Sequence, residues 1–134
     1  MQGVRFDTNE VVWLLGAACQ LHRIPFDAKL VLGQFPPPHT VESLREALAS
    51  LGFRTGIEAT SPESLSLLSG PCFVALKQPP QTDAVGFALL LRSDGERVLF
   101  IEPGQAEPND VTLAEFQQRY TGSLVQRLQF LADP

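Results

Sequence analysis

The spacing of apolar residues changes partway along the chain, and that change constrains the fold more than any other feature. Up to Leu51 they recur at helical intervals, and beyond it they come mostly as short runs between turn-forming residues. Val11, Val12, Leu14, Leu15, Ala18 and Cys19 make one apolar face, which predicts a helix from about residue 8 to 22. Asp7 and Thr8 are its candidate caps, and Asp7 with Glu10 has capping-box spacing, with Asp in place of the usual Ser or Thr. Glu10 therefore falls in the first turn.

Pro25 closes this stretch, and residues 28–35 suggest a short helix before the stiff run Pro36, Pro37, Pro38. From Thr40, Val41, Leu44, Leu48 and Leu51 share one side of a second long helix, which Gly52 ends in a left-handed turn. Residues 53–59 alternate as a strand, Ser61-Pro62 opens a short helix over 63–68, and Gly70-Pro71 marks a turn. Strands are expected over 72–76, 87–91, 98–101 and 124–130, with a hairpin turn at Asp94-Gly95. Thr112 and Glu115 have the spacing of a capping box that starts a short helix reaching about Gln118. Helices first and an antiparallel sheet afterwards define an α+β chain.

A length of 134 residues fits one compact domain, 1–134, and 44% hydrophobic with 19% charged residues is a globular balance. A net charge of -5 supplies no basic stripe for a phosphate backbone, which argues against nucleic acid as a partner. No apolar run approaches the roughly 20 residues of a membrane span, and the start MQGVRFDTNE lacks a signal-peptide pattern. Cys19 and Cys72 are too far apart for a metal knuckle or a redox pair and read as buried small apolar residues. His22 and His39 are not in a ligand-spaced pair, so neither metal nor cofactor is expected. Neither a G-x-S-x-G elbow nor a phosphate loop of the Walker type is present.

Several strings, in order, carry a resemblance: AACQLHRIPFD, GQF, LREALASLGFRT, GPCFVAL, GFALLLR, VLFIEP and TLAEFQQRYTG. Together they resemble the peptidase domain of family 39 of the cysteine peptidases, found at the N-terminus of bacterial ATP-driven exporters. The resemblance implies a papain-like fold with N-terminal helices packed on an antiparallel sheet. It places a cysteine at the start of the first long helix and a histidine and an aspartate on neighbouring strands. The matching positions hold Glu10, Gly86 and Glu102, the last followed by Pro103. A catalytic thiolate needs a helix N-terminus and an adjacent imidazole to lower its pKa. With neither thiol nor imidazole at those positions, no catalytic residue is expected.

Peptidase-like domains without the cysteine form a subgroup attached to exporters of toxins, adhesins and other repeat-rich proteins in type I secretion. The resemblance thus implies a noncatalytic domain at the cytoplasmic face of the bacterial inner membrane, which binds or recruits unfolded substrate. Membrane spans and an ATPase would follow beyond residue 134. The sequence departs from that subgroup too, because Gly86 stands where it keeps the histidine. Candidate substrate contacts are Glu10, Trp13, Pro37 and His39. Glu10 reads either as a helix-start carboxylate or as an anionic contact, Trp13 as core or cleft, and the Pro36–His39 stretch as a rigid loop or an exposed recognition edge. Two other functions stay open: a residual leader-peptide peptidase using Cys19 or Cys72, and a structural module for transporter assembly. Cys19 lies at the wrong end of its helix for a thiolate.

Overall fold

The computed structural model describes residues 5–68, 71–78 and 81–130, of which 5, 81–84 and 126–130 are described by backbone alone. The chain divides into two compact units, a helical one reaching Thr55 and a sheet unit over Gly56–Arg127.

In the helical unit a two-residue strand β1 (Arg5–Phe6) leads into α1 (Thr8–Leu21). Asp7 caps α1 from a β conformation, and Val11, Leu14, Leu15, Ala18 and Cys19 form its buried stripe, as the periodicity predicts. After α2 (Ala28–Gln34) and a cis bond between Pro37 and Pro38 comes β2 (His39–Thr40), which pairs antiparallel with β1. Thr40 caps α3 (Val41–Ser50), and Val41, Leu44, Ala47 and Leu48 form its buried side. Ser43 closes a capping box there, its hydroxyl accepting from Thr40 N at 2.8 Å. Gly52 has φ 98°, the left-handed exit a glycine takes without steric cost. α1 packs against α3, and each fully buried leucine removes apolar area worth roughly 1.5 to 3 kcal/mol.

β3 (Phe53–Ala59) begins at the end of the first unit and leads into the second. A 3-10 turn (Pro62–Leu67) replaces the expected short helix, with Pro62 at its first position. β4 (Cys72–Gln78), β5 (Gln81–Ser93), β6 (Arg97–Ile101) and β7 (Asn109–Thr112) follow in antiparallel succession, and α4 (Leu113–Gln117) leads to β8 (Tyr120–Phe130). The six-stranded sheet has the order β3-β8-β4-β5-β6-β7, with the last strand inserted beside β4. One face carries Cys72, Val74, Leu76, Ala88, Leu90, Val98, Phe100 and Leu124. Leu65 and Phe116 close over it, Phe116 meeting the rings of Phe100 and Tyr120 at 5.4 and 5.3 Å. Phe73, Ala75, Phe87 and Leu89 on the opposite face are also buried, which explains why β4 reads as a continuous apolar run.

Several expectations need adjustment. β1, β2 and β7 carry no periodicity long enough to announce them, and β8 starts at Tyr120 instead of residue 124. The Asp94-Gly95 hairpin forms, with Asp94 Oδ1 accepting from the amides of Glu96 and Arg97. Half of the Thr112–Glu115 box forms: Thr112 Oγ1 accepts from Glu115 N but donates to the Glu115 carboxylate. The turn expected at Gly70-Pro71 lies partly outside the described residues.

Candidate functional site

Glu10 is held by its own helix start. Its amide donates to Asp7 Oδ1 at 2.8 Å, and its Oε1 accepts from Asp7 N at 3.2 Å, which completes the reciprocal box that the spacing suggested. Burial pushes its carboxyl above the usual range, against the lowering effect of the Asp7 amide. Trp13, one turn on, is half-buried. Pro37 is exposed.

The exposed edge considered for the Pro36–His39 stretch does not extend to His39, which is 3% exposed because β2 pairs it with Phe6. Its Nε2 lies 3.2 Å from Thr8 Oγ1, so it tethers β2 to the first turn of α1. A hydroxyl beside an imidazole is the start of a nucleophile–base pair, but such a pair also needs an orienting group. No hydrogen bond among the described residues engages the other ring nitrogen of His39.

Gly86 and Glu102 belong to the sheet unit, on neighbouring elements. The register pairs Leu76 with Gly86 and with Tyr120, and Ile101 with Leu89. Because β4 and β6 both run opposite to β5, their C-terminal ends lie at one end of the sheet, where β8 begins. Glu102, Pro103, Gly104 and Gln105 turn the chain there, with Gln105 N donating to Glu102 O and Gly104 at φ 87°.

This sheet end holds a polar network that sequence reading missed. Arg119 forms an ion pair with the Glu102 carboxylate, and its Nε donates to Lys77 O at 3.1 Å. Lys77 N donates to Arg119 O in return at 2.8 Å. Gln105 Oε1 accepts from Glu102 N and from Asn109 Nδ2. Gln78 lies over Gly86: a Cβ built on the glycine would meet its Nε2 at 2.6 Å and its Cδ at 3.2 Å. The available signal was the polar pair Lys77-Gln78 ending an otherwise apolar strand.

The two thiols are poor nucleophiles. Each is about 1% exposed, as expected of small core residues. Burial raises Cys19, and burial reinforced by the charge of Glu58 pushes Cys72 up to about 12. The His22 ring, three residues past Cys19, meets Phe53 edge-on at 5.2 Å. Among the described residues no group of three or more His, Cys, Asp or Glu side chains could hold a metal.

No family model matches the sequence, and no curated protein matches it significantly. Its fold does match solved structures. The peptidase domain of Streptococcus ComA, a bifunctional ABC transporter involved in a quorum sensing pathway, superposes with a TM-score of 0.72 at 15% identity. That match covers 94% of this chain and 96% of the other. A double glycine motif protease from an AMS/PCAT transporter, solved with its leader peptide, gives 0.70 at 15% identity over 94% and 86% of the two chains. The N-terminal peptidase C39 like domain of the toxin secretion ATP-binding protein from Vibrio parahaemolyticus gives 0.63 at 13% identity over 91% and 95%. The chain thus has the fold of the peptidase C39-like domains of ABC transporters, and at such identities the likeness is one of fold.

Proposed function

We propose that this chain is a noncatalytic peptidase-like domain of a type I secretion ABC transporter that binds an extended segment of the protein to be exported. One observation supports the reading: each position that the resemblance matches to the family's catalytic residues is committed to another contact. Glu10 closes a helix cap, Gly86 lies under Gln78, and Glu102 is paired with Arg119. The thiols elsewhere are buried in their neutral form, and a thiol attacks only as thiolate.

The domain works at the cytoplasmic face of the inner membrane, joined to the membrane and ATPase parts of its transporter. Among the described residues no helix is long and apolar enough to cross a membrane. A fold shaped to hold an extended peptide can still bind one through backbone hydrogen bonds without cutting it.

Titration of the chain with an unfolded segment of the co-encoded secreted protein tests recruitment, and incubation with a double-glycine leader peptide tests catalysis. The expected result is saturable binding of the segment and no cleavage of the leader. Cleavage that disappears in Cys19→Ala or Cys72→Ala overturns the noncatalytic assignment, and absence of saturable binding overturns recruitment.

A further inference from the structure

The polar side chains at the sheet end differ in what they have left to offer. Arg119 is spent on Glu102 and on Lys77 O, and Gln105 on Glu102 N and Asn109. No hydrogen bond among the described residues engages the Gln78 carboxamide, and Gln78 is partly exposed. It rests over Gly86, on β5, which has β4 on one side and β6 on the other. A glycine inside a strand weakens it and often marks a bulge, a bend or a close approach to the backbone. Here the group that comes close is the Gln78 carboxamide.

A primary amide presents two N–H donors and a carbonyl acceptor, so it can pair with both the C=O and the N–H of another chain's backbone. We propose that Gln78 is a substrate-contacting residue. The missing side chain at Gly86 leaves space for its carboxamide, which hydrogen-bonds the main chain of an extended segment. The partner chemistry is therefore peptide backbone, with little demand on the segment's side chains. This rests on the recruitment reading given above.

The test is fluorescence anisotropy with a fluorescein-labelled, unstructured peptide of glycine, serine and alanine. Gln78→Met keeps the length of the side chain without the amide, and Gln78→Ala removes both. Each is expected to raise Kd about three- to tenfold, the effect of losing one or two ordinary hydrogen bonds. Gly86→Ala is expected to weaken binding as well, because its methyl displaces the carboxamide. Gln78→Ala combined with Gly86→Ala is expected to bind no worse than Gln78→Ala alone. Circular dichroism of each variant confirms that the fold is kept, and Gln78→Met serves if Gln78→Ala fails to fold. Wild-type affinity in both Gln78 variants overturns the assignment, as does a Gly86→Ala effect that persists in full without Gln78. A wild-type chain that does not bind the peptide overturns the recruitment reading, and this inference with it.

Discussion

The start of α1 and the end of the sheet where β8 begins hold their polar groups in different ways. Glu10 is secured within three residues of itself, by the backbone and side chain of Asp7. Glu102 is secured by Arg119, which comes from beyond β7 and α4 and also binds the end of β4. The two cysteines follow the same division. Cys19 is raised by burial alone, whereas Cys72 also feels the charge of Glu58 on another strand. Contacts within a helix cap can be replaced one at a time, while those at the sheet end depend on the tertiary fold.

The largest effect expected from this contrast is in alkali. Cys72 has an ordinary value of 9.0 and about 12 in the fold, so above pH 9 the unfolded chain ionises while the folded one resists. The stability contributed by the neutral thiol is complete below pH 9 and is lost as pH rises toward 12, at up to about 1.4 kcal/mol per pH unit. Urea unfolding at several pH values should show the gap between wild type and Cys72→Ala narrowing as pH rises. Parallel profiles would remove the thiol from this account. Tyr120, also raised to about 12 by burial, adds to the alkaline loss in both proteins.

Next in size, Arg119→Ala should cost about 2 kcal/mol, because it leaves a half-buried carboxylate without its partner. Adding Glu102→Gln should recover part of that loss. No recovery would show that Arg119 acts mainly through Lys77. Asp7→Ala removes an N-cap and should cost about 1 kcal/mol in the same measurement.

The smallest change is expected for Glu10→Gln, within about 0.5 kcal/mol, since the amide oxygen can still accept from Asp7 N. Glu10 is raised by burial, so its favourable contribution is present below the ordinary value of 4.5 and declines as pH climbs through the folded value. Glu10→Gln should flatten that acid-range slope. Unchanged substrate binding in this variant would leave Glu10 a capping residue only, and weakened binding would make it an anionic contact.

Much of the helical unit was legible in advance, because helix caps and apolar stripes are written within four residues of each other. Asp7 with Glu10 and Gly52 needed no tertiary knowledge. The sequence leaves His39 open between a rigid loop and an exposed edge because its proline neighbours fit both, whereas its burial goes with pairing to Phe6 across thirty intervening residues and more. Arg119 gave no local signal, and the polar pair Lys77-Gln78 gave only a weak one, since a polar residue at a strand end is ordinary until the register shows what lies opposite.

The sequence by itself determined that helices come first and an antiparallel sheet afterwards, where α1, α2 and α3 lie, and which residue types, Glu10, Gly86 and Glu102, stand at the positions that the resemblance matches to the family's catalytic ones. Those properties depend on residue type and short-range periodicity. Only the tertiary structure decided that β8 lies beside β4, that Arg119 meets Glu102 and that Gln78 covers Gly86. Sheet pairing joins residues far apart in the chain, and a strand's own pattern says which faces it buries but not which neighbour it takes.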